Sequence, residues 1–265
     1  MEKSSIIGLF LGVFAVGFGM ILKGASLSTL ANPAAFLIII VGTVATLFIG
    51  FPLAELKKFP TLVKLLFKGQ QLIPTQEIIR IFINLAGIAR REGLLALENH
   101  AQEIDDPFFK KGLMLIIDGR DPDFVRDVLA EEIEAMEERH QSGAQIFSQG
   151  GTYAPTLGVL GAVVGLIAAL GNLSDIEKLG HSIAAAFVAT LLGIFTGYVL
   201  WHPFANKLKR FSKNEALLKR ITIEGILSLQ SGESASAIED KLKVYLPSRQ
   251  RDFNTQPAED TESTT

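Results

Sequence analysis

The sequence predicts an all-α integral membrane protein, with four transmembrane helices in two hairpins and a helical cytoplasmic domain. Three observations lead there. The chain carries four long apolar blocks free of charge; the blocks come in two close pairs; and basic residues gather beside the pairs on one side. Of 265 residues 48% are hydrophobic, and the mean hydropathy is +0.34. A soluble domain of this size seldom averages above zero, so the apolar surplus calls for a solvent other than water.

The segment 1–53 holds two spans, at about 6–22 and 34–53, and the segment 152–203 holds two more, at about 154–173 and 183–201. Each approaches the about 20 residues that cross the hydrocarbon of a bilayer as a helix. None contains Asp, Glu, Lys or Arg. The first block has a signal-peptide reading, with Lys3 before it and Ser28 and Ala31 after it. Cleavage there, however, would spoil the charge arrangement. Lys57, Lys58, Lys64 and Lys68 follow the second span, and Lys207, Lys209, Arg210 and Lys213 follow the fourth. The short loops offer only Lys23 and Lys178, so both long segments and both termini are placed in the cytoplasm of an inner-membrane protein. The basic run from Lys207 to Arg220 also has a nucleic-acid reading, but its place just past a span favours charge facing the membrane.

The segment 54–151 reads as a helical cytoplasmic domain. Thr75 after Pro74 starts a helix with Ile78, Ile79, Phe82, Leu85 and Ile88 at helical spacing, and Gly93 marks a bend. Asp106-Pro107 and Asp121-Pro122 each set a capping acid before a proline suited to a first turn. The helix from Pro107 ends near Gly119. The next one carries Phe124, Val125, Val128, Leu129 and Ile133 on one face, with an acidic run from Glu131 to Glu138 read as a solvated surface. Within 204–246 two further helices are predicted, one stopping at Ser231-Gly232 and one starting with Ser236 and Glu239 as a capping box. The polar tail 247–265 is expected to be disordered.

Net charge is −3, there is no cysteine, and the four histidines lack ligand spacing. Disulfides, thiolate sites, a metal signature and a global nucleic-acid field are therefore not expected, and no cofactor is. The chemistry lies in the third and fourth spans. Ala185, Ala189, Gly193 and Gly197 recur every fourth residue in the fourth span, and the third span offers Gly158, Gly161, Ala162 and Gly165. Such stripes pack helices closely in lipid, either within one chain or between copies around an axis. Pro155 frees a backbone carbonyl inside a span, which protein or water must cover. Pro203 has that reading and also one of simple helix termination. Thr156, Thr190, Thr196 and Tyr198 supply hydroxyls for a wet path, or for bonds to their own helix. The missing charge is the most informative feature. An ion path needs an ionisable group in the membrane, so either the chain conducts nothing or another polypeptide supplies the carboxylate.

Ala89-Arg90-Arg91-Glu92-Gly93-Leu94-Leu95-Ala96-Leu97-Glu98 resembles the cytoplasmic motif of the MotA family of flagellar stators, within the MotA/TolQ/ExbB proton channel superfamily. Thr152-Tyr153-Ala154-Pro155-Thr156-Leu157-Gly158 resembles that family's third span. Ala189-Thr190-Leu191-Leu192-Gly193 through Trp201-His202-Pro203 resembles its fourth. The likeness covers nearly the whole chain except the tail and is strongest to Bacillus-type members. It implies a homo-oligomer, a pentameric ring, around MotB-like single-span chains that supply a pore aspartate. It also implies torque on the rotor protein FliG through Arg90 and Glu98, with Arg91 doubling the arginine. Without the likeness, those charges read as an ordinary exposed pair of at most ~0.5 kcal/mol. Pro155 and Pro203 match coupling prolines, and Thr190 matches a pore-facing threonine. Ala189 stands where sodium-driven relatives of the PomA or MotP type tend to carry an extra threonine, so protons are the expected ion, with Thr156 partly offsetting that difference.

Four readings compete with a stator. An ExbB- or TolQ-type energiser usually has three spans, and four are counted. A lone transporter needs ionisable groups at the membrane midplane. A structural scaffold leaves the Arg90 to Glu98 motif unexplained. An enzyme lacks an assembled nucleophile, base and orienting group.

Overall fold

The structure is a computed structural model and describes residues 2–251. Among these residues every regular element is helical. In chain order we label α1 (Lys3–Leu22), α2 (Pro33–Gly50), α3 (Phe59–Lys68), α4 (Thr75–Glu92), α5 (Leu97–Glu103), α6 (Pro107–Ile117), α7 (Pro122–Leu170), α8 (Ile176–Gln230) and α9 (Ala235–Lys243). Four of these, α1, α2, α7 and α8, are long and apolar enough to cross a membrane. The chain divides into two compact units, one formed by residues up to Gln70 with Glu138–Ser212, the other by Gln71–Glu137 with the residues from Lys213 onward.

Several boundaries differ from the expected ones. The helix of Val125 and the third span were read as separate, yet α7 runs unbroken from Pro122 to Leu170. The fourth span and the helix after it are likewise one helix, α8. A test for charge-free stretches finds where apolar residues stop, whereas the backbone continues wherever helical propensity does. For the same reason α8 starts at Ile176 rather than near 183: Glu177, Lys178 and His181 occupy its first turns, and Asp175 caps it by accepting from Lys178 N. Ser234, not Ser236, caps α9, accepting from Ala237 N. Of the tail read as disordered, Ser248–Gln250 forms a short turn and Arg251 donates to the carbonyls of Leu246 and Val244. The rest of that reading concerns residues outside those described.

The membrane unit turns its apolar side chains outward. Phe10, Ile49, Ile167 and Phe187 are each more than half exposed, an arrangement that water would penalise and lipid does not. Its interior is built from small residues. A Cβ placed on Gly193 of α8 would lie 2.7 Å from the Ala154 carbonyl oxygen, and one on Gly158 of α7 would lie 3.0 Å from the Ala189 carbonyl oxygen. Gly165 similarly meets Ala186. The two small-residue stripes therefore pack against each other inside one chain. The reading that spends them between copies is corrected accordingly. α2 joins the same hairpin, with Gly42 against Leu157. Below them α3 buries Leu66 in an aromatic cluster, where Phe147 stacks on Phe59 at 4.9 Å and meets Trp201 at 5.8 Å.

The other unit has the core of a soluble domain. Phe82 of α4 stacks on Phe109 of α6 at 4.7 Å, and Gly225 of α8 lets the Phe82 ring lie against its backbone. Asp106 caps α6 through the Phe108 and Phe109 amides, as predicted from Asp106-Pro107. On α7 the buried stripe is Val125, Leu129, Ile133 and Met136. Phe124 was placed on that face but is 48% exposed, with the Arg120 guanidinium over its ring. It sits one residue off the stripe, about 100° around the helix. Two of the acids read as solvated are paired, Glu132 with Lys111 at 2.7 Å and Glu137 with Arg220 at 3.2 Å.

The α7–α8 contact yields a direct prediction. Gly193→Val forces a side chain into the Ala154 backbone and should cost about 1–3 kcal/mol or more. Gly180→Val, where nothing lies within 4 Å, should be tolerated. Thermal unfolding of the two variants in detergent should separate them clearly, and equal melting temperatures would refute the packing described.

Candidate functional site

Pro155 lies deep inside α7, where its missing N–H leaves the Gly151 carbonyl without its helical partner. That carbonyl and the proline ring both face Gly197 of α8. A Cβ on Gly197 would lie 2.7 Å from Pro155 Cγ and 2.9 Å from Gly151 O. The freed backbone group is thus covered by protein, and only glycine leaves room for it. Sequence reasoning counted Gly197 among the stripe and missed this role, because the register between two helices is not written in either.

The strand of contacts continues along α8. Thr196–Trp201 forms a π-helical turn, and the His202 N–H donates to the Gly197 carbonyl five residues back. Pro203 follows at once, and the helix runs on to Gln230. Termination at Pro203 is therefore corrected. A widened turn directly before a proline relieves the clash of its ring with the preceding turn. Gly150 and Gly151 of α7 accept the rings of Trp201 and His202 respectively, since a Cβ at either would lie within 3 Å of ring atoms. Pro155, Gly197, the π turn and Pro203 form one continuous junction between the two helices.

The predicted hydroxyls divide. Thr156 Oγ1 donates to Thr152 O at 3.1 Å, Thr190 Oγ1 to Ala186 O at 3.3 Å, and Thr196 Oγ1 to Leu192 O at 2.8 Å. Each therefore bonds its own helix in this chain. Thr156 is exposed and Thr190 half-buried. Ala189 is 2% exposed, closed in by Gly158 and Gly161 of α7. Tyr198 is exposed, packs beside the His202 ring at 5.3 Å, and shares with Pro203 the wall of a cavity of about 420 Å³.

The other predicted residues lie in the second unit. Arg90 and Arg91 end α4, Gly93 turns the chain with φ +84°, a short 3-10 turn (Leu94–Ala96) follows, and Glu98 stands in the first turn of α5. A left-handed φ is open to glycine at no steric cost. Leu97 anchors the loop in the core, which leaves Arg90, Arg91 and Glu98 exposed. Among the described residues none of the three has an ion partner. Arg91, unlike Arg90, lines a groove of about 840 Å³ with Ile81, Gly87 and Ile88.

Residues 100–221 match the family model described as the MotA/TolQ/ExbB proton channel family. Motility protein A of Bacillus subtilis (strain 168) is 57% identical over 251 residues, 95% of this chain and 93% of that one. Among solved structures, the flagellar MotAB stator complex from Bacillus subtilis matches with a TM-score of 0.90 at 57% identity, covering 94% of this chain and 98% of that one. The C. jejuni MotAB structure matches with a TM-score of 0.90 at 30% identity, covering 97% and 100%. With four apolar helices arranged as in those structures, the chain is a membrane protein, and it belongs to the motility protein A family of MotA/TolQ/ExbB proton channels.

Proposed function

We propose that this chain is the ring-forming subunit of a flagellar motor stator, which conducts ions with a MotB-like partner and converts their flow into torque on the rotor. The observation that carries this reading is a missing one. The apolar blocks at about 6–22, 34–53, 154–173 and 183–201 offer no Asp, Glu, Lys or Arg to hold an ion in the membrane. The aspartate then comes from the single span of the partner, around which copies of this chain, five by family resemblance, form a ring in the cytoplasmic membrane. The eight basic residues flanking the spans support a cytoplasmic position for the termini and the helical domain.

In this mechanism ion binding neutralises the partner's aspartate and changes which subunit it prefers. Release to the cytoplasm restores the charge, and the ring advances one position. A membrane potential of ~100 mV supplies ~2.3 kcal/mol per charge, so each step draws on only a few kcal/mol. Small shifts at the Pro155–Gly197 junction and at Pro203 fit that scale. The ring turns the rotor protein FliG through Arg90, Arg91 and Glu98, whose exposure keeps each contact weak enough to break at every step. Protons are the ion favoured by Ala189, whose place inside the hairpin leaves no room for a larger polar side chain.

Three measurements test this. Reconstituted alone, the chain should pass no current, and current should appear when a partner with an aspartate-bearing span is added; current from the chain alone sinks the proposal. Reversing the charges at Arg90, Arg91 and Glu98 together should abolish swimming at unchanged membrane levels, and normal swimming would remove the rotor assignment. Motility at fixed proton-motive force should not respond to sodium concentration; a steep sodium requirement would make the ion sodium.

A further inference from the structure

Lys207 follows Pro203 by four residues on α8, and its surroundings differ from those of Arg210 and Lys213. Arg210 and Lys213 are exposed, whereas the Lys207 side chain is only 19% exposed. Its ammonium lies 3.1 Å from a Glu2 carboxylate oxygen and donates to Ser4 Oγ at 2.8 Å and to Ser5 Oγ at 2.7 Å. Three acceptors satisfy all three donors of the group. Ser5 is buried, and its hydroxyl donates onward to the Leu66 carbonyl at 2.8 Å, while the Glu2 N–H donates to Phe67 O at 2.8 Å. The ammonium therefore ties the foot of α1 to α8, and the foot of α1 is in turn bonded to the end of α3, all within the membrane unit.

A second attachment lies on the other side of Pro203. There Gly12 of α1 leaves room for Val199, whose Cγ1 would be 2.6 Å from a Cβ at that position. Tyr198, Pro203 and Phe204 of α8 face Gly8 of α1 across the cavity of about 420 Å³. The proline stretch of α8 is thus held at both ends against one helix and has open space between. Ordinary positive charge beside a membrane requires none of this, since it needs no buried hydroxyls and no fixed partner.

We propose that Lys207 is a positioning residue for energy coupling, fixing α8 beyond Pro203 to the foot of α1. Displacement at Pro203 is then a bow of α8 into the adjoining cavity between two fixed points, and it reaches the rest of α8 without being dissipated as free swing. This rests on the reading of Pro203 as a coupling residue. The Ser4 hydroxyl, then the Lys207 ammonium, holds the Glu2 carboxyl below the usual carboxylate range. The contact is therefore complete above the ordinary carboxylate pKa, and is lost only as pH falls through the lower folded value. At neutral pH it is a fixed strut.

The test uses the full chain assembled with its partner. Lys207→Met keeps the apolar stem and removes the ammonium. It should leave membrane levels and the ion conductance of the reconstituted complex intact while most swimming speed and stall torque is lost; Lys207→Arg should recover most of both. Should Lys207→Met fail to accumulate, Glu2→Gln weakens the same contact with Lys207 in place, and a parallel loss of torque is expected. Parental torque in these variants, or conductance falling in step with torque, overturns the inference. Pro203→Ala separates the two levels: torque lost there but kept in Lys207→Met leaves Pro203 as a coupling residue without the strut, and torque kept in both removes the reading of Pro203 itself.

Discussion

A backbone carbonyl buried in protein has no water to fall back on, and that constraint organises the membrane unit of this protein. Pro155 removes the N–H that would have bonded the Gly151 carbonyl. The vacancy is covered because α8 presents Gly197 at that level and brings its own backbone against the proline ring. Close approach there dictates small residues along both helices, from Gly158 and Gly165 on one to Ala186 and Gly193 on the other. The hairpin is held by dispersion between closely packed backbones, since lipid tails compete on equal terms for larger apolar side chains.

The same constraint shapes α8 below the hairpin. A proline in mid-helix normally bends or stops it, yet α8 continues, with a π turn just before Pro203 and the rings of Trp201 and His202 laid on Gly150 and Gly151. Irregular hydrogen bonding is thus concentrated over a few residues where α8 meets α7, and the turns on either side remain regular. π turns of this kind gather at functional sites. The second such turn in the unit, Leu37–Val41 of α2, ends at Gly42, which rests on Leu157 two residues from Pro155.

Much of this was legible in the residues. Absence of charge identified four spans, and local chemistry placed the Asp106 cap, the start of α4 at Thr75 and the turn at Gly93. What was not legible depends on register or on distance along the chain. The stripes showed that helices approach closely but not which helices, so Gly197 passed as one small residue among several. Hydropathy marked the apolar limits of α7 and α8 but not their continuation through charged turns, because a helix does not end where its solvent changes. Lys207 read as one positive charge in a cluster, since its partners Glu2, Ser4 and Ser5 stand about 200 residues away. The exposed Arg90, Arg91 and Glu98 carried no structural signature, and only their likeness to a family motif singled them out.

Trp201 is the single tryptophan of the chain, and it sits in the most irregular stretch of α8, its indole against the Gly150 backbone and within 6.0 Å of Phe59. Intrinsic fluorescence excited selectively at the red edge of protein absorption therefore comes from one place only. The protein carries a native optical reporter two residues from Pro203, so events there are open to spectroscopy without any attached dye.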